Sequence, residues 1–234
     1  GWARATGGSE AWSGLVAGRH YRTDGDFPYQ NPFLVPTQTL RRTGASARMT
    51  TLYGRGTWRG DAQKWSLAGW WSRARRGLPG PASARSAGAR QWDRLGRVWV
   101  TGTLPLGAGT LSLSAQGQRS RLRYRNPPTR TDRTTRTTAT DAKARLHHPL
   151  SGLGTLTAGT TLRYDHASLR GGVDRLSGAA FADATLSLAS LQLQPAVRID
   201  ALGGGGAPTV VASPRLGVRL RPLAWNGLTL RGLV

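Results

Sequence analysis

The side chains that could carry chemistry are bounded at once by the absence of cysteine. Thiolate nucleophiles, disulfides, zinc–thiolate sites and iron–sulfur ligation are all excluded. His147 and His148 are adjacent, and neighbouring residues of an extended chain point to opposite faces. No nearby carboxylate completes a ligand set, so no metal site is expected there. The Ser, His and Asp residues show neither a nucleophile elbow nor a triad order. Gly203 to Gly206 lacks the Lys-Ser/Thr that would follow in a phosphate-cradling loop. No catalysis and no cofactor are expected. What remains is recognition by charge, since 33 Lys+Arg stand against 11 Asp+Glu for a formal net charge of +22. Lys64 and Lys143 are the only lysines. Part of the excess is therefore explained as readily by arginine-biased coding as by a binding surface.

Arg119, Arg121, Arg123 and Arg125 alternate with Ser120, Leu122 and Tyr124. One reading is an arginine-rich nucleic-acid ribbon interleaved with aromatics. The other places the guanidinium groups on the lumenal face at the outer rim of a barrel. Leu111, Leu113 and Ala115 precede them on the same parity, so the strand either leaves apolar surroundings or carries a bulge near Gly117 to Gln118. A basic rim attracts phosphate-bearing headgroups or an anionic chelate; a solvated rim without a specific ligand is the alternative. Arg76, Arg123 and Arg125 are candidate substrate contacts on this reading. So are Asp24, Asp26, Tyr29 and Asn31, unless Pro28 and Pro32 merely fix a rigid turn in which the acids cap backbone donors.

These residues need elements to hold them, and the periodicity supplies strands. Helix period is nearly absent, and no apolar run approaches the roughly 20 residues of a membrane-spanning helix. Leu156, Ala158, Leu162 and Tyr164 share one face against Thr155, Thr157, Thr161, Arg163 and Asp165. Leu191, Leu193, Val197 and Ile199 oppose Gln192, Gln194, Arg198 and Asp200, and Leu216, Val218 and Leu220 oppose Arg215, Arg219 and Arg221. Brief connections (59–62, 105–108, 149–154, 189–190, 222–227) alternate with long polar ones (23–44, 75–92, 126–141, 166–177, 202–213). Tight turns at one edge and long loops at the other are the pattern of an outer-membrane barrel, with periplasmic turns and extracellular loops. Arg, Asp and Gln on one face are intolerable in a dry sandwich core but ordinary in a water-filled lumen. Arg163, Asp165, Arg198, Asp200 and Arg219 are therefore expected to line a lumen. Trp12, Trp58, Trp65 and Trp225 fall at the short turns, where an aromatic girdle meets the inner membrane surface. The expectation is an all-β, antiparallel up-and-down transmembrane β-barrel, incomplete, with about ten or eleven strands in one domain over residues 1–234.

Asp24-Gly25-Asp26-Phe27-Pro28-Tyr29-Gln30-Asn31-Pro32, followed by Arg41-Arg42, resembles a stretch early in the barrel of TonB-dependent outer-membrane receptors, especially vitamin-B12-receptor-like ones. Arg76-Gly77-Leu78-Pro79-Gly80-Pro81, Ser213-Pro214-Arg215-Leu216-Gly217-Val218 and Trp225-Asn226-Gly227-Leu228 are similar to later parts of the same barrels. The resemblance implies a receptor that binds a scarce nutrient chelate, such as siderophore-iron or cobalamin, and imports it across the outer membrane. Its partners would be outer-membrane lipid and lipopolysaccharide, the chelate, and the energy-coupling protein TonB acting through a plug. The plug, the coupling box and the closing strand are not seen in this sequence. If the relatives have about 22 strands, the plugged-lumen class, the chain is about half a barrel. A passive porin or adhesin barrel, and a basic nucleic-acid-binding β-protein, are the rivals.

Overall fold

The computed structural model describes residues 1–31, 38–79, 88–168, 171–204, 207–220 and 230–233. In chain order the strands are β1 (Trp2–Gly8), β2 (Trp12–Thr23), β3 (Phe27–Asn31), β4 (Gln38–Arg42), β5 (Ala47–Arg59), β6 (Lys64–Leu78) and β7 (Ala89–Leu106). They continue with β8 (Gly109–Asn126), β9 (Thr131–Leu150), β10 (Gly154–Ala167), β11 (Val173–Leu188), β12 (Leu191–Gly203), β13 (Thr209–Leu220) and β14 (Leu230–Leu233). Twelve of them form one sheet in which each strand pairs with its sequence neighbour, β2 and β5 being joined across the small β3–β4 hairpin. Every pairing is antiparallel. Among the described residues β1 pairs only with β2 and β14 only with β13, so the sheet is open. It holds one or two more strands than the periodicity alone predicts.

Register carries each strand's alternation across the whole sheet. Lys64 faces Thr103, Ser66 faces Thr101, Ser114 faces Thr101 and Lys143, and Arg163 faces Asp141 and Ser177. The opposite parity aligns Leu67 with Val100, Val100 with Ala115, and Leu193 with Val218. One surface is thus polar and the other apolar over the lower part of the sheet. The two differ in crowding. Small residues of the polar face are buried, as with Ala68, Ala74, Thr57, Ser66 and Ala179. Leu67, Val98 and Leu162 on the apolar face are more than half exposed. Crowding on one side and splaying on the other is what curvature produces, so the polar face is the inside of the curve. Among the described residues no second layer covers the apolar face, and in water so large an apolar surface would aggregate. It suits a hydrocarbon solvent.

Short connections lie at one end: 9–11, 60–63, 107–108, 151–153 and 189–190. Gly107 and Gly152 sit at φ 59° and 78°, where a Cβ is costly, which is why glycine occupies these tight turns. At the other end the expected long connections shrink. The segment 126–141 is mostly strand: β8 reaches Asn126, β9 starts at Thr131, and only four residues join them. Likewise β10 extends to Ala167 and β11 starts at Val173. A stretch such as Thr131 to Thr140 is polar on both faces, so it is strand without any apolar–polar alternation. No bulge occurs near Gly117, where pairing to β7 and β9 runs without interruption. β8 and β9 are 18 and 20 residues long, against the 9–11 residues that a tilted strand needs to span a bilayer. Both project well beyond it.

Candidate functional site

The polar face carries two recesses. The lower, of about 480 Å³, is lined by Arg55, Lys64, Lys143 and Arg145 together with Ser and Thr side chains. Arg145 stacks over the Phe181 ring at 5.7 Å. The upper, of about 700 Å³, is lined by Gln116, Asp141, Arg163, Arg198 and Asp200. Both lie in the size range of small-molecule sites. Their chemistry is charge and hydrogen bonding. Arg163 grips Asp165 through Nε and Nη2 at 2.8 and 2.9 Å, and Arg175 reaches the same carboxylate at 3.0 Å. Arg198 holds Asp200 at 2.8 and 2.7 Å. Each pair is i, i+2 along one strand, the spacing that returns a side chain to the same face. Gln116 donates to Asp141. The lower recess has no such carboxylate among its lining residues, so it is the more cationic of the two. Among the described residues no group of three or more His, Asp or Glu could hold a metal ion.

The expected lumen residues Arg163, Asp165, Arg198, Asp200 and Arg219 all lie on this polar face by register. The Nε of Arg219 is buried and has no hydrogen-bond partner among the described residues. Arg55, Lys143 and Arg145 were not singled out from the sequence. Their strands alternate weakly, and only pairing brings them together.

The expected substrate contacts fall into two groups that the structure does not bring together. Asp24 lies 3.7 Å from Arg22, and Asp26 accepts from Arg41 Nε at 3.0 Å. Tyr29 and Asn31 stand on β3 opposite Leu40 and Gln38. Arg76 is on the polar face of β6, donating to Asp93 at 2.7 Å. Two glycines tie this corner together. Gly25, at φ 61°, would push a Cβ to 2.2 Å from the Ala45 carbonyl oxygen, and Gly77 would push one to 2.0 Å from that of Gly44. The Asp-Gly-Asp and Arg-Gly-Leu motifs thus meet over residues 44–46.

Arg123 and Arg125 are elsewhere. They share parity with Leu111, Leu113 and Ala115, and with no bulge to turn them they stay on the outer, apolar-side face. The lumenal expectation for them is corrected: the strand climbs out of its apolar surroundings with its faces unchanged. Arg123 binds Asp132 through Nε and Nη2 at 2.9 and 2.5 Å. That bond holds the Asp132 carboxyl below its ordinary range and raises the Arg123 guanidinium. Arg75 and Arg123 flank Trp92 on this same face, at 5.8 and 5.6 Å from its ring.

Trp12, Trp58 and Trp65 form one cross-strand row on the outer face at the short-turn end. Trp12 and Trp58 lie with ring centroids 6.2 Å apart. The Trp65 ring covers Gly102, where a Cβ would meet it at 2.3 Å. Trp225, with the motif that contains it, and the 222–227 turn lie outside the described residues.

No protein-family model and no curated protein matches the sequence. The fold has clear relatives among solved structures. It is similar to the siderophore receptor PirA from Acinetobacter baumannii (TM-score 0.67, 15% identity, 98% of this chain and 39% of that one). It is also similar to the FrpB iron transporter from Neisseria meningitidis (0.70, 15%, 95% and 42%). A third is a mutant of the ferric enterobactin receptor PfeA from Pseudomonas aeruginosa (0.64, 16%, 97% and 39%). The chain thus spans about two-fifths of the length of these proteins. Its fold is that of an incomplete, antiparallel up-and-down transmembrane β-barrel of the kind found in TonB-dependent siderophore and iron receptors.

Proposed function

We propose that this chain is part of the barrel wall of a TonB-dependent receptor in the outer membrane of a Gram-negative-type bacterium. The whole protein binds a scarce nutrient chelate and imports it, drawing on TonB through a plug. The observation that carries this reading is a largely polar inner face, with two chelate-sized recesses lined by arginine and lysine, on a sheet that overlays siderophore and iron receptors along nearly its full length. Arg163, Asp165, Arg198, Asp200 and Arg219 line the passage against the plug, and the corner of Asp24, Asp26, Tyr29, Asn31 and Arg76 gathers substrate. Siderophore-iron is favoured over cobalamin because the solved relatives bear siderophore and iron names. Trp12, Trp58 and Trp65 anchor the inner interface, and lipid surrounds the outer face. The test is growth of an iron-starved bacterium on a ferric siderophore that only the full-length protein admits. Rescue that disappears on deleting TonB is expected. Rescue indifferent to TonB, scaling instead with solute size, would identify a passive porin.

A further inference from the structure

Pairing aligns residues that are far apart in sequence into one row on the outer face. Arg73 faces Arg94, Arg94 faces Arg121, and Arg121 faces Arg136. All four side chains are exposed, and none forms an ion pair with a carboxylate among the described residues. Like charges directly opposite one another across a ladder are destabilising, because Cβ atoms there stand only about 5 Å apart. Flanking rows add Arg75, Arg119 and Arg123. The nearest acid of this face, Asp132, is already held by Arg123. Asp93 lies on the other parity and is bound by Arg76 and Gln91. Such a row calls for an anion from outside the protein.

Height on the barrel says which anion. Counting up β6 from Trp65, the row at Arg73 is reached after roughly the 9–11 residues that a tilted strand takes to cross a bilayer. It therefore stands at the outer headgroup level, where an exposed arginine is tolerated far better than at the bilayer midplane. Immediately below, Gly54, Gly69, Gly96 and Gly117 leave a shallow apolar trough beside Leu52, Val98 and Trp71. Guanidinium forks match phosphate oxygens two at a time, and a trough beneath them suits the chain attached to such a headgroup.

We propose that the outer face of β6–β9 is a binding site for a phosphate-bearing glycolipid of the outer leaflet, lipopolysaccharide. Arg73, Arg94, Arg121 and Arg136 take its phosphates, and the glycine trough takes one of its acyl chains. Charge complementarity at the headgroup level selects this occupant over a protein partner. The site rests on the outer-membrane reading of the fold and does not depend on which chelate the lumen carries.

The experiment extracts the full-length protein from outer membranes in mild detergent and weighs its retained lipid by native mass spectrometry. Wild type is expected to keep lipopolysaccharide, and the Arg94→Gln/Arg121→Gln variant to lose about tenfold or more of it. Arg4 on β1 and Arg215 on β13 lie on the inner face by register, and the Arg4→Gln/Arg215→Gln variant, which removes the same charge there, is expected to keep it. Equal retention in the Arg94/Arg121 variant overturns the site, as does a wild type that retains none. Should that variant fail to assemble, wild type is incubated instead with intact or enzymatically dephosphorylated lipopolysaccharide. Preference for the phosphorylated form supports the proposal, and equal uptake overturns it. A protein absent from the outer-membrane fraction refutes the parent reading separately, before any lipid is weighed.

Discussion

The lower and upper parts of the outer face are continuous along the same strands and in the same register, yet they carry opposite chemistry. On β8, Leu111, Leu113 and Ala115 give way at Arg119 to Arg121, Arg123 and Arg125 without a bulge or a change of parity. On β6, Leu67 and Trp71 give way to Arg73 and Arg75 in the same manner. Backbone geometry is indifferent to this boundary, so what changes there is the solvent. On the outer-membrane reading proposed above, the side chains below it meet hydrocarbon and those above it meet charged headgroups and water. The inner face of β8 runs the other way: Ser114, Gln116, Gln118 and Ser120 are polar, and Leu122 and Tyr124 follow above them.

The sharpest way to break the contrast is to put an arginine below the boundary. Val98 is 56% exposed on the outer face, and Val98→Arg is expected to cost about 2–4 kcal/mol, the penalty of a lipid-facing charge near the midplane. The folded fraction in outer membranes, read by heat-modifiable gel mobility, should fall steeply. Its neighbour Arg97 is already accommodated because it points inward and donates from Nε to Gln118 at 2.9 Å. Thr101→Arg, also inward, should leave the mobility unchanged. A second test overfills the inner interface. Gly102→Val drives a side chain into the Trp65 ring and should lower stability by about 1–3 kcal/mol in a urea titration in lipid vesicles. Trp58→Ala removes one member of the same row and should cost at least about 0.5–1.5 kcal/mol in that assay, the range of a lost aromatic pair.

The polar end answers to pH instead. Because Arg123 depresses the folded-state pKa of Asp132, that pair is fully formed above the ordinary carboxylate range and lost as pH falls through the depressed value. Both side chains are about half exposed, so little stability is at stake. Asp132→Asn should leave assembly intact, abolish this acid-side titration, and increase retention of phosphorylated lipid by freeing Arg123. Titrating the Asp132 carboxyl by its chemical shift checks the sign.

How much of this was legible in sequence follows the same boundary. The faces of β10, β12 and β13 could be assigned because one side is apolar and the other polar, so that Leu193 and Gln194, or Val218 and Arg219, alternate strictly. Where both sides are wet, as in Thr131 to Thr140, the period vanishes, and strand was mistaken for loop. The inner-face positions of Arg163 and Arg198 followed from local parity. The outer arginine row did not, because Arg73, Arg94, Arg121 and Arg136 belong to four strands and only the hydrogen-bond register aligns them. For the same reason the recess of Arg55, Lys143 and Arg145 went unseen, while Arg123 and Arg125 were assigned to the wrong face.

The absence of cysteine makes one measurement direct. Single cysteines along β8 can be spin-labelled in the membrane-assembled protein, and each label's collisions with oxygen, which concentrates in lipid, compared with those of a water-soluble nickel chelate. Labels at 111, 113 and 115 should favour oxygen, those at 112, 114 and 116 nickel, and those at 119 and 121 nickel again despite sharing parity with the first set. Labels at 113 and 115 shielded from both reagents, as in a packed two-layer core, would contradict the account.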